Sequence, residues 1–252
     1  MDNSVNKKVL VIIQARMGST RLPEKIFKDI VGKPMLWHMI NRLKCSKKIN
    51  DVVIAIPDSA LNDKLESFVK ELGVNCFRGD EDDVLSRYYG AAVKFQGDII
   101  VRLTSDCPLI DPVVTDSTIE AHLNSESDYT YKGPRGNYPR GLDTEVFNLT
   151  VLKKIYHEAT RLYEREHVTP YIYQHPELFE INVIQAVGKL KRPELRLTVD
   201  TEEDLLLVRE IYRHLYQNNK IFYIEDIIDL LDLQPELISI NAHIEQKSSG
   251  ND

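Results

Sequence analysis

The chain has 252 residues, 42% of them hydrophobic and 28% charged, which suits one large α/β domain with a full core and excludes a disordered chain. A formal charge of −7 argues against broad binding to nucleic acid or to a membrane surface, both polyanions, but leaves room for a local phosphate site. The cysteines, Cys45, Cys76 and Cys107, show no CxxC or Cys/His ligand spacing, which speaks against structural zinc and for a reducing cytosol.

Residues 1–8 are polar, and the apolar run at 9–13 is too short for a signal-peptide core or a membrane span, so a cytoplasmic enzyme is the expectation. That run, Val9-Leu-Val-Ile-Ile13, has the continuous aliphatic character of a strand buried on both faces. Residues 14–25 then read as a basic loop. Residues 34–43 have helical apolar spacing, with Pro34 suited to the first helical position. A second buried strand at 51–56 ends at Pro57-Asp58, and an amphipathic helix at 62–72 stops at Gly73. A short strand at 75–77, a helix at 83–94 and a strand at 98–103 follow, the last running into Thr104-Ser-Asp-Cys-Pro108. This alternation predicts a mainly parallel sheet with helices on both faces. In such sheets, function sits beyond the carboxyl ends of the strands.

After Pro112 the rhythm loosens. Strands at 128–131 and 144–147 flank a loop rich in Gly, Pro and Arg at 132–142. Helices are expected at 150–159 and 166–173, a strand at 195–199, and helices at 202–216 and 224–231. With no repeat or linker, residues 1–245 read as a single domain followed by a polar tail at 246–252.

Gln14-Ala-Arg-Met-Gly-Ser-Thr-Arg-Leu-Pro-Glu-Lys25 directly follows the first buried strand. Backbone N–H groups around Gly18, Ser19 and Thr20 would cradle a polyphosphate, and Arg16, Arg21 and Lys25 would add charge-assisted hydrogen bonds. The spacing is neither a Walker loop nor a GxGxxG fingerprint. The plainer alternative is a surface loop with solvated charges, but three long cations and a glycine at the end of that strand are poorly explained by packing alone.

Asp106 and Asp200 each lie just past an expected strand, on the same sheet edge as the basic loop. Magnesium takes oxygen ligands, commonly one or two carboxylates plus substrate phosphates. Singly, each has a plain alternative: Asp200 as a helix N-cap, Asp106 as a turn former. Asp111, before Pro112, reads as a turn or cap residue.

These residues also carry a family resemblance. The stretch 14–25 resembles the opening motif of the cytidylyltransferases that activate acidic sugars, such as CMP-KDO and CMP-sialate synthetases, and above all the spore coat polysaccharide biosynthesis protein F branch. Further similar motifs are Arg78-Gly-Asp-Glu-Asp-Asp-Val-Leu-Ser-Arg-Tyr88, Arg102-Leu-Thr-Ser-Asp-Cys-Pro-Leu-Ile110, Pro139-Arg-Gly-Leu-Asp-Thr-Glu-Val146, Glu164-Arg-Glu-His-Val-Thr-Pro-Tyr171 and Leu195-Arg-Leu-Thr-Val-Asp-Thr-Glu-Glu-Asp-Leu205. The resemblance implies a nucleotide-diphospho-sugar transferase fold, mixed but mainly parallel, with an extension around 128–147 that pairs two subunits into a homodimer. It implies CTP held by Ala15, Arg16, Gly18, Ser19, Thr20, Arg21 and Lys25, with Gly79 and Arg87 near the base and ribose. It implies magnesium on Asp106 and Asp200. Ser105 and Cys107 replace the glycine and acid usual around the first aspartate, and Glu202 stands where proline is usual after the second; these departures bear on the acceptor.

On the acceptor side, Arg140, Asp143 and Glu145 fall in the Gly-rich loop and its strand, and Glu166-His167 begin an expected helix. A cation among several hydrogen-bonding groups suits an acidic, polyhydroxylated ligand, and a histidine there would take the acceptor's proton. The expected reaction is attack by an acceptor oxygen on the α-phosphorus of CTP with release of pyrophosphate. One rival is a glycosyltransferase of the same fold using a nucleotide-sugar donor, although the strand end Thr104-Ser-Asp-Cys-Pro108 lacks the Asp-x-Asp usual there. Another is transfer to a phosphorylated acceptor, giving a CDP product. A non-catalytic nucleotide sensor and a nucleic-acid binder fit less well, the latter for want of a basic-aromatic stripe.

Overall fold

The structure is a computed structural model that describes residues 7–19, 21–217 and 220–245. Thr20 and the tail at 246–252 lie outside the described residues. In chain order, β1 (Val9–Gln14) leads through the basic loop to the two-residue strands β2 (Asp29–Ile30) and β3 (Lys33–Pro34), a small hairpin, and then to α1 (Met35–Leu43). Next come β4 (Asp51–Pro57), α2 (Asp63–Glu71), β5 (Asn75–Gly79), α3 (Val84–Lys94), β6 (Ile99–Thr104) and α4 (Pro112–Leu123). The second half holds β7 (Tyr129–Lys132), β8 (Thr144–Asn148), α5 (Leu149–Glu158), α6 (Leu162–His167), α7 (Pro170–Gln174), β9 (Ile181–Val183), α8 (Glu202–Leu215) and α9 (Ile224–Leu233).

Among the described residues the main sheet has seven strands in the order β5-β4-β1-β6-β8-β7-β9. The first four are parallel, β8 runs antiparallel to both β6 and β7, and β9 is parallel to β7. The α/β class and the mainly parallel mixed sheet are therefore as the sequence predicts. Because β1 is central, both of its faces are buried: Val9, Val11 and Ile13 pack with α1, α8 and α9, while Leu10 and Ile12 pack with α3 and α5. Each such side chain contributes about 1.5–3 kcal/mol by leaving water. Among the described residues no helix is long and apolar enough to cross a membrane.

Several expectations are corrected. Pro34 closes the small hairpin and serves as the N-cap of α1 rather than its first residue. The helix α4 was not expected: Val113, Val114, Thr115 and Thr118 are poor helix formers by their β-branching. Asp111 caps it, its carboxylate accepting from the N–H groups of Val113 and Val114 at 2.8 and 3.1 Å and from Ile224 N–H of α9 at 2.7 Å.

The helix expected over residues 166–173 is broken into α6 and α7, so Glu166 and His167 close a helix instead of opening one. The break is Val168, with φ 72 and ψ −56. Thr169 N–H reaches back to His167 C=O at 2.9 Å, so these three residues form a γ-turn of the rarer, strained hand. Finally, residues 195–199 are not a strand of the sheet. They are buried and carry one isolated bridge, from Arg196 to Arg140, with a bend at Thr198.

Candidate active site

The basic loop is held by its apolar residues, which frees its cations. Leu22 and Ile26 are almost fully buried, and a short 3-10 turn at Lys25–Phe27 carries Lys25 between them. Ala15 N–H bonds Ala55 C=O at 3.1 Å, and Met17 N–H bonds the side-chain oxygen of buried Asn62 at 3.1 Å. Ser19 N–H turns back onto Met17 C=O at 2.9 Å. Of the backbone cradle expected around Gly18, Ser19 and Thr20, the N–H of Ser19 is thus turned inside the loop, and Thr20 lies outside the described residues. Gly18 is exposed, as are the guanidinium-bearing Arg16 and Arg21. What the loop presents to solvent is chiefly the cations Arg16 and Arg21.

Lys25 reaches the two aspartates. Its Nζ lies 3.0 Å from Asp200 Oδ1, 3.6 Å from Asp106 Oδ2 and 2.9 Å from Val199 C=O. Arg21 adds a 3.2 Å contact to Asp200 Oδ1. Burial works against the charge of Lys25, but Asp106 and Asp200 outweigh it and hold the ammonium above its ordinary pKa. Burial likewise opposes ionisation of Asp200, and Lys25, then Arg21 and Arg196, overcome it and hold the carboxyl below the usual range.

Asp200 reaches this place without a sheet strand beneath it. Val199 N–H bonds Asp106 C=O at 2.8 Å, and Leu197 N–H bonds Arg140 C=O at 2.8 Å. The N-cap of α8 is Thr201, in a capping box with Asp204, so the Asp200 side chain is not consumed as a cap. Arg196 bridges Asp200 Oδ2 at 2.9 Å and Asp204 Oδ1 at 2.9 Å, and Asn241 Nδ2 bonds Asp204 Oδ1 at 2.8 Å.

Among the described residues no group of three or more His, Cys, Asp and Glu side chains gathers to hold a metal by protein alone. Two carboxylates that share one ammonium fit a different arrangement, a divalent cation completed by phosphate oxygens. Cys107 is buried beside them, its thiol pushed well up by burial and by Asp106 and Asp143, and so is inert as a nucleophile.

Of the residues expected near the base and ribose, Gly79 lies in β5, where a Cβ would meet Arg87 Cγ at 2.9 Å and the Phe77 ring at 3.2 Å. Arg87 is buried, and its Nη1 donates to the carbonyls of Asp80 and Glu81, the latter at 2.7 Å. Burial lowers its pKa and the nearby Arg16 adds to that. Arg87 supports the loop after β5 from beneath.

The expected acceptor residues divide. Arg140 is half-buried, its main chain clasping Leu195 and Leu197. Asp143 accepts from Gly141 N–H at 2.9 Å and Tyr131 O–H at 3.0 Å, and burial raises its carboxyl above the ordinary range. Glu145 pairs with Arg102 at 2.8 Å and receives Thr169 O–H at 3.2 Å. His167 is half-buried near Arg102; burial first, and that guanidinium after it, lower its pKa against the pull of Glu166. Glu166 is exposed. Arg102, Asn62, Arg196, Asp204 and Asn241 were missed. A lone arginine in the strand Ile99–Thr104 signals a buried partner, and Thr201-x-x-Asp204 is legible as a capping box; Asn62 and Asn241 give no sequence signal.

The comparisons with known proteins agree with this geometry. A model of the cytidylyltransferase family matches residues 10–232. The chain is 36% identical over 233 residues to the spore coat polysaccharide biosynthesis protein SpsF of Bacillus subtilis, covering 90% of this chain and 95% of that one. Its fold is similar to that of a cytidylyltransferase from Leptospira borgpetersenii, with a TM-score of 0.86, 35% identity, and coverage of 92% of this chain and 97% of that one. A CMP-2-keto-3-deoxy-manno-octonic acid synthetase solved with CTP shares the fold at a TM-score of 0.65 and 20% identity, over 82% of this chain and 99% of that one.

Proposed function

The chain belongs to the cytidylyltransferase family, and from that premise we propose that it transfers CMP from CTP to an acidic sugar of the ulosonic or nonulosonic type, releasing pyrophosphate, in the synthesis of a surface polysaccharide. The observation that carries the reading is Lys25, whose ammonium lies between Asp106 and Asp200 at the end of a loop that also presents Arg16 and Arg21. The names of the spore coat polysaccharide relative and of the CTP-bound synthetase support the pathway and the nucleotide.

In this reading Arg16, Arg21 and Lys25 bind the triphosphate and stabilise charge on departing pyrophosphate. A well-placed electrostatic contact of this kind is worth roughly 10²–10³ in rate. Asp106 and Asp200 would hold magnesium, which supplies charge neutralisation at the phosphates when bound. Arg140 receives the acceptor's carboxylate. His167, whose pKa is lowered by burial and by Arg102, accepts the proton of the attacking hydroxyl at a ring nitrogen. No covalent enzyme intermediate is needed, since positioning and electrostatics carry most such transfers.

The test is pyrophosphate release with magnesium, each of the four common NTPs, and a panel of acidic sugars and sugar phosphates. Release with CTP and an acidic sugar supports the proposal. Release only with a sugar phosphate moves it to a CDP product, and no release with any acceptor, alongside no calorimetric CTP binding, defeats it. A homodimer paired through residues 128–147 is part of the proposal; a monomer in sedimentation at micromolar concentration would remove that part.

A further inference from the structure

One guanidinium ties together the two sides of the proposed site. Arg165, on α6, grips Asp83 with both faces of its fork: Nε donates to Oδ1 at 3.0 Å and Nη2 donates to Oδ2. Its Nη1 donates to Tyr156 C=O at 2.7 Å and Ala159 C=O at 3.3 Å. Those carbonyls belong to the end of α5 and its exit, where a cation is favoured. The Tyr156 ring lies 5.0 Å from the guanidinium carbon.

Each partner of Arg165 is itself committed. Asp83 is the N-cap of α3, accepting Ser86 N–H at 2.9 Å, and it ends the short loop whose carbonyls Arg87 supports from below. The N–H groups of Asp82 and Asp83 are in turn gathered by Asp80 Oδ1 at 2.9 and 2.8 Å. On the other side, α6 delivers His167 two residues beyond Arg165, and the γ-turn at Val168 fixes where that helix stops. A bidentate arginine–carboxylate pair is directional as well as strong. Because the pair spans 82 positions in sequence, nothing local explains it.

We infer that Arg165 is a positioning residue: its bridge to Asp83 couples the acceptor-side helix α6 to the nucleotide-side segment at residues 79–87, so that CTP binding also fixes the helix that carries His167. The inference rests on the proposed reading of residues 79–87 as the nucleotide side.

The experiment is backbone amide hydrogen exchange on the full chain, with and without CTP and magnesium, in the wild type, Arg165→Met and Asp83→Asn. Asparagine keeps the side-chain acceptor that caps α3 but gives up the charge that Arg165 grips, so this variant keeps the test available should Arg165→Met fail to fold. The expected result is slower exchange at both 79–87 and 162–167 in the wild type when CTP is added. In the variants the protection at 162–167 should be lost while that at 79–87 persists. A merely structural bridge would speed exchange at 162–167 equally with and without CTP. Protection confined to 79–87 in the wild type, or surviving at 162–167 in both variants, overturns the coupling and leaves the proposed activity standing. No CTP-dependent change in either segment defeats the nucleotide reading, and the coupling falls with it.

Discussion

Arg102 and Glu145 face one another as register partners across the seam where β6 meets the antiparallel β8, and their side chains close an ion pair at 2.8 Å. Thr169 O–H completes the carboxylate at 3.2 Å. Both Glu145 oxygens therefore have partners within the protein. Removing one member of a buried pair strands the other charge, at a cost of about 3–5 kcal/mol. Glu145→Ala is expected to lower unfolding stability by that order in urea titration. A loss below about 1 kcal/mol, the worth of an exposed pair, would show that the seam does not depend on the pair.

Three histidines are expected to make stability fall on mild acidification. Burial, foremost in each case, lowers the pKa of His38, His122 and His167. Between the folded value and the unfolded value near 6.5, the unfolded chain binds more protons, so stability rises with pH there. Stability is expected to be full above about pH 7 and to decline as the pH drops through 6.5 toward the folded values. His167→Gln should flatten that slope. A pH-independent midpoint between pH 5 and 7 contradicts it.

What the sequence revealed follows from how local each signal is. The buried strands and the loop cations were legible because aliphatic runs and loop position report directly on layer and edge. The segment at 195–199 reads as a strand because Leu195, Leu197 and Val199 alternate with polar residues, yet Arg196 and Thr198 are buried as well, so the alternation marks no exposed face. It could not report that the partners are Asp106 and Arg140 main chain instead of a ladder. The helix α4 was missed because its inner face buries Thr115, Thr118 and His122, which blurs the apolar period. The break at Val168 had no signal, since a β-branched residue is a poor occupant of positive φ. The network of Arg196, Asp200, Asp204 and Asn241 exists only once the chain is folded.

Gly141 has φ +100, and a Cβ there would meet Leu197 C at 2.7 Å and Thr198 N at 2.8 Å. Both contacts are backbone, so the segment carrying Asp200 must move to admit a methyl group. Gly141→Ala is expected to cost about 1–3 kcal/mol through strain, and to lower kcat/KM for CTP by at least about tenfold through displaced Asp200. Normal kinetics in a folded Gly141→Ala protein would mean that the loop and the aspartate are not mechanically linked.

Asp106→Asn and Asp200→Asn should separate chemistry from stability. Asp200 meets Lys25 at 3.0 Å, Arg21 at 3.2 Å and Arg196 at 2.9 Å, whereas Asp106 meets Lys25 at 3.6 Å and the Cys107 thiol at 3.5 Å. The folded-state pKa of Asp200 lies below its ordinary value, since Lys25 and the two arginines outweigh burial. Its stabilisation is therefore present above the unfolded pKa near 3.9 and lost as the pH falls through the folded value. Asp200→Asn should cost about 1.5–3 kcal/mol at neutral pH, the worth of charged hydrogen bonds, and the deficit should vanish on acidification below that value. Asp106→Asn should change stability by less than about 1 kcal/mol, as its one long ion pair suggests. Both variants should lose magnesium-dependent pyrophosphate release by at least about 10²-fold. Asp106→Asn is the sharper of the two, because its loss of turnover cannot be assigned to a weakened fold. If it releases pyrophosphate at close to the wild-type rate with magnesium, Asp106 is not a metal ligand and Lys25 alone accounts for its place in the site.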